Sequence, residues 1–216
     1  MRSYKEIARR ISKIIVSPES AIGLMHGIMS VPTDIDYLAY GFIDTDSYRE
    51  RQREKTRMIE AIRFGIFNNH HFTKTIQIVI ENFNRHVPEN KQNAIYSKTV
   101  ASVAGRTLTN SIIAGKLATA IVQRSSALVS IRGGVIGNAL LAGGMAERRI
   151  YTSERLSQNN PTIYNLLRDH NYDLLYFLVE PALNPFFDAL NVRRKYGQRA
   201  FEKIIDMVEK ELHAKR

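Results

Sequence analysis

The run KQNAIYSKTVASVAGRTLTNSIIAGKLATAIVQRSSALVSIRGGVIGNALLAGGMA, residues 91–146, decides how this chain is read. Between Glu89 and Glu147 there is no Asp or Glu, while Lys98, Arg106, Lys116, Arg124 and Arg132 punctuate an apolar, small-residue sequence. At about 100° per residue, their spacing spreads the five cations over an arc of about 160° on an unbroken helix. That is a basic face, suited to contact with an anionic surface.

The remaining positions hold small residues at close-packing intervals: Ala101 and Gly105, Gly133 and Gly137, Ala139 and Gly143, Leu140 and Gly144. Gly105, Gly133, Gly137, Gly143 and Gly144 are the candidate helix-association positions, a glycine-zipper pattern that lets backbones approach closely in lipid. Each interior glycine costs roughly 1 kcal/mol of helix propensity relative to alanine. The segment from Gly133 to Gly144 is therefore a poor autonomous helix and a site for rearrangement.

Neither half of the stretch reads as a constitutive span. Thr107 to Gln123 carries Lys116 at its middle, worth roughly 3 kcal/mol against insertion, while its strongly apolar residues return about 0.5 kcal/mol each. Gly133 to Ala146 has no charge, but 14 residues rise only about 21 Å against a hydrocarbon core of roughly 30 Å. Together the halves predict a helical hairpin with a turn near Arg124 to Ser126. In this general respect the stretch resembles the apolar hairpins of pore-forming bacterial toxins. The competing expectation is tight core packing in a soluble bundle, with the cations snorkelling outward.

Working outward, Ile7, Ile11, Ile14 and Ile15 recur at helical spacing, and Ser17-Pro18-Glu19 reads as a cap followed by proline at the first helical position. Val31-Pro32 and Val87-Pro88 are breaks. Ser47 to Phe67 and Phe72 to His86 predict helices, the first opening with a mixed-sign run, Arg49 to Arg57, that reads as a solvated face, and the second containing a β-branched run, Ile76 to Ile80, that also fits a strand. Asn160-Pro161 reads as a helix start with Asn160 capping. Tyr164 to Leu178 predicts an apolar helix or helix pair interrupted by Pro181 and Pro185, and Gln198 to His213 a last helix burying Phe201, Ile204, Ile205, Val208 and Leu212.

The predicted fold class is all-α: a single multi-helix globular bundle with a central apolar, glycine-spaced helical hairpin. One domain is expected over residues 1–216, with N-terminal helices in 1–90, the basic hairpin in 91–153 and C-terminal helices in 154–216. The chain is long enough for such a core. It has no cysteine, which excludes disulfides and thiolate zinc sites. Residues 1–15 alternate charge with apolar residues and hold no continuous apolar run, so no secretory signal is expected. Synthesis in the cytoplasm, secretion by a signal-independent route and action at a membrane fit that pattern.

The formal charge is +10, and residues 97–153 hold 7 basic groups against 1 acidic. Such an excess points to an anionic partner. No nucleophile elbow, P-loop or HExxH element occurs, so no catalytic residue, metal ligand or cofactor is predicted and the chain does not read as an enzyme. Asp34, Asp36, Asp44 and Asp46 offer oxygen ligands for a divalent cation but lack the glycine and distal glutamate of an EF-hand loop, and read as caps and turns. His170, between Asp169 and Asn171, reads as part of a polar helix connection.

The function expected is that of a membrane-active protein, a pore-forming or permeabilising toxin or effector that inserts its central hairpin. Its partners would be anionic membrane lipid, an acidic masking, chaperone or immunity protein, and further copies of itself in the membrane. The alternative is a basic helical protein that binds an acidic protein or, less favoured, nucleic acid.

Overall fold

The computed structural model describes residues 2–21, 48–96, 106–124 and 138–214. These form helices α1 (Tyr4–Val16), α2 (Pro18–Ala21), α3 (Tyr48–Arg63), α4 (Asn69–Asn84), α5 (Glu89–Tyr96), α6 (Arg106–Arg124), α7 (Asn138–Asn159), α8 (Pro161–Arg168), α9 (Asp173–Tyr196) and α10 (Gln198–Ala214), with no strand among the described residues. The architecture is the all-α, multi-helix bundle that the periodicity predicts. Lys98, Gly105, Arg132, Gly133, Gly137 and the acidic group Asp34 to Asp46 lie outside the described residues.

Helix α9 is the axis of the bundle. Its buried positions run almost continuously from Asp173 to Val192 and include Phe177, Leu178, Phe186 and Phe187. Each such side chain removed from water contributes about 1.5–3 kcal/mol. That gain explains a departure from expectation: Pro181 and Pro185 do not interrupt the helix but lie inside it, both buried. Each proline removes one backbone hydrogen bond at a cost of about 3 kcal/mol. Apolar burial on both sides of the pair outweighs the loss.

Helices α1, α4, α7 and α10 pack against α9, and α10 also packs against α1. The repeat Phe201, Ile204, Ile205, Val208, Leu212 puts one face of α10 in the core. The repeat Phe72, Ile76, Val79, Ile80, Phe83 does the same for α4, where the Phe83 ring meets Phe186 and Phe201 at centroid distances of 5.1 and 5.4 Å. Helix α4 begins one turn earlier than its apolar repeat, because the Asn68 side chain accepts from the His71 amide at 3.0 Å. A second expected cap differs. Asn160 occupies the cap position of α8 but makes no side-chain cap hydrogen bond, and Pro161 alone marks the start.

Helix α6, the longest described run of the acid-free stretch, packs against α4 and α2, whereas α7 packs against α9, α8 and α3. A buried polar set fixes the register of α6: Asn84 Nδ2 donates to Asn110 Oδ1 at 2.9 Å, and the Tyr96 hydroxyl donates to Asn84 Oδ1 at 2.7 Å. Burial pushes the Tyr96 phenol well above its ordinary pKa, so it stays a donor. Helix α7 runs unbroken past residue 153, so the sequence-based boundary there is not a helix end. No helix among the described residues is long and apolar enough to cross a membrane.

Candidate functional site

The predicted membrane-contacting cations divide unevenly. Arg106, Lys116 and Arg124 all lie on α6. Lys116 is exposed while Ile113, Ala114, Leu117, Ala118 and Ile121 around it are buried. Gly143 and Gly144 lie in the first half of α7. The apolar side of α6 is thus core, and its described cation faces out.

The densest chemistry sits where sequence reasoning placed only a solvated face. Helix α3 lays Glu54 and Arg57 against Arg149 of α7, Arg168 at the end of α8 and Asp173 at the start of α9. Arg149 Nη2 lies 2.5 Å from Glu54 Oε2 and Arg168 Nη2 2.7 Å from Glu54 Oε1. Arg168 Nη1 reaches Asp173 Oδ2 at 3.0 Å, and Arg57 Nη2 reaches Asp173 Oδ1 at 2.6 Å. Three guanidinium groups therefore share two carboxylates, with Asp173 and Arg149 almost completely buried. The surplus of one cation is unusual in an interior, where charges are normally paired.

Burial pushes the Glu54 carboxyl pKa up, but a hydrogen bond from Arg168 and the charges of Arg149, Arg168 and Arg57 outweigh it and hold the group down at about 2. Burial pulls the Arg149 guanidinium down from its ordinary value against Glu54 and Asp173. The Arg149 Nε atom has no hydrogen-bond partner.

Glu147, the acid that ends the acid-free stretch, is fully buried. Lys55 Nζ of α3 stands 2.6 Å from its Oε1 as a charge partner, while Oε2 has no hydrogen bond. Next along the chain, the Arg148 guanidinium lies 4.7 Å from the Phe177 ring centroid, a cation–π contact with α9. Glu147, Arg148 and Arg149 together root α7 in the bundle. Arg51, 3% exposed, adds a long contact to the Tyr151 hydroxyl at 3.5 Å. The expected solvated face of Arg49 to Arg57 is corrected accordingly: its i,i+3 pair Glu54–Arg57 exists at 3.4 Å, but both residues also bind helices distant in sequence. Mixed-sign charge marks this helix as ionic; it does not say whether its partner is water or protein.

A cleft of about 390 Å³ adjoins this cluster, lined by Arg57, Glu60, Phe64, His71, His170 and Tyr172 among others. Two helix ends shape it. Helix α3 closes with Gly65 at φ 71° and the Ile66 amide donating to Ala61 O at 3.0 Å. Helix α8 closes with Asn171 at φ 60° and the Tyr172 amide donating to Leu167 O at 2.8 Å. Both are left-handed C-terminal turns in which glycine or asparagine meets the positive φ.

Arg57 also binds the Asn171 side-chain oxygen at 2.6 Å, tying that turn to the cluster. The rings of His71 and His170 lie 5.8 and 5.5 Å from Tyr172. Its walls carry Arg57, Glu60 and the negative ends of two helix dipoles. Among the described residues, no group of three or more His, Asp or Glu side chains is placed to hold a metal ion.

Comparison of the chain with protein families, with curated proteins and with solved structures returns no match.

Proposed function

We propose that this protein is membrane-active: it keeps its acid-free stretch folded in a helical bundle and delivers it to an anionic bilayer, in the manner of a pore-forming or permeabilising toxin or effector. The observation that carries this reading is the arrangement of α6. Its apolar residues Ile113, Leu117 and Ile121 are withdrawn from water while Lys116 faces out. A stored segment of this kind needs a cationic face for docking and an apolar face for insertion.

The clamp at Glu147 and Arg149 supports the same reading, since it holds the end of the stretch by charge, which an anionic surface can challenge. Partners that follow are an acidic masking, chaperone or immunity protein and, within the bilayer, further copies assembled through the glycine-spaced positions.

Dye release from vesicles tests it. Phosphatidylcholine vesicles containing phosphatidylglycerol should leak when the protein is added, and pure phosphatidylcholine vesicles should leak far less. Absence of both leakage and binding on the anionic vesicles over a range of pH would sink the proposal.

One observation favours a second reading. The buried Asn84–Asn110 hydrogen bond costs free energy to break, which suits a basic protein that keeps α6 in place and binds an acidic protein or nucleic acid. A steep fall of nucleic-acid affinity with salt would support that alternative.

A further inference from the structure

The α3–α7 seam combines three features. First, α3 carries a dense set of ion pairs: among its described side chains Met58 is fully buried and Ala61 packs against the core, while Glu54, Lys55 and Arg57 make ion pairs to α7, α8 and α9. Second, α3 and its closing turn present apolar groups to solvent, Ile59 at 45% and Phe64 at 87% exposure. Third, Glu54 supplies one carboxylate oxygen to Arg149 and the other to Arg168, at 2.5 and 2.7 Å. The Nε of Arg149 remains unsatisfied, with its side chain 1% exposed.

Guanidinium groups bind phosphate through the same forked geometry they use for carboxylate. From these features, and resting on the membrane-active reading above, we infer that Arg149 and Arg168 form a binding site for the phosphate of an anionic lipid headgroup, which Glu54 fills in the folded state. Helix α3 is then a strap. Its departure removes Glu54 and Arg57, leaving Arg149 and Arg168 against Asp173 alone, and a headgroup phosphate restores the missing negative charge. Ile59 and Phe64 give the displaced strap an apolar contact with the bilayer interface. Loss of the strap also frees Glu147 from Lys55, and with it the end of the acid-free stretch.

The absence of cysteine allows the strap to be followed in the full-length chain by a donor–acceptor dye pair at Arg53→Cys and Gln158→Cys, both exposed positions. Energy transfer should fall on phosphatidylglycerol-containing vesicles and not on pure phosphatidylcholine. With Glu54→Gln, the fall should occur at about tenfold less anionic lipid, because the internal occupant binds more weakly. With Arg168→Gln, it should require several-fold more lipid, because the receiving site is lost.

The opposite directions are the test. A merely structural ion pair predicts that both variants open more easily, so opening of Arg168→Gln at equal or lower lipid than wild type overturns the inference. Arg168→Lys, which keeps the charge without the fork, should shift in the same direction as Arg168→Gln by a smaller factor, guarding against a folding artefact. Opening by inorganic phosphate alone would overturn the assignment to a lipid headgroup. Leakage with energy transfer unchanged overturns the strap and leaves the membrane-active reading standing; no binding and no leakage overturns that reading itself.

Discussion

Arg149 of α7 and Glu54 of α3, 95 positions apart in the chain, meet at 2.5 Å in a seam where Arg149 is 1% exposed. Because three arginines share two carboxylates there, the two partners are not equivalent. Removing the carboxylate with Glu54→Leu leaves Asp173 alone against three cations and should destabilise by about 3–5 kcal/mol. Arg149→Met leaves two cations with two carboxylates and supplies an apolar chain of similar length, so its cost should fall below that of Glu54→Leu. Urea denaturation of both variants checks the ranking, and an equal or reversed order would contradict the surplus-charge description.

The acid response has a definite sign. Glu54 titrates at about 2 in the folded protein against an ordinary value of 4.5, so the folded state favours the charged carboxylate. Its contribution is present above the unfolded value and is lost as pH falls from about 4.5 towards about 2. Denaturation midpoints should therefore lack a Glu54-dependent change between about pH 5 and 8, with such a loss entering below about 4.5. In Glu54→Gln, the stability difference from wild type should shrink as pH falls through that window.

Gly115 lies within α6, and a Cβ placed there meets nothing within 4 Å. Gly115→Ala should raise thermal stability by about 0.5–1 kcal/mol through helix propensity alone. A helix that must leave the bundle should then leave it more slowly, so vesicle leakage by this variant should slow while its final extent on anionic lipid is kept.

The helical architecture was legible where burial follows a local period. One face of α10, the Phe72 to Phe83 repeat of α4 and the proline start of α2 all follow from spacing and backbone chemistry that operate within a few residues. Pro181 and Pro185 misled because a local rule, that proline breaks helices, was outweighed by the burial of Phe177, Phe186 and their neighbours.

The ion cluster was not legible for a different reason. Glu54, Arg149 and Asp173 are ordinary surface residue types whose burial depends on partners far along the chain, and a single sequence does not display that pairing. The surplus of cations around Glu147 was visible as composition. The pairing of Arg149 with Glu54 of α3 was not.

Departure of α6 from the core into a bilayer can be followed with a single fluorophore at Ile112→Cys, a position 38% exposed on that helix in a chain without other cysteines. On phosphatidylglycerol-containing vesicles bearing a quencher in the acyl chains, the probe should be strongly quenched in step with dye leakage, and only weakly with pure phosphatidylcholine. A probe that remains unquenched on protein demonstrably bound to the anionic vesicles would contradict it.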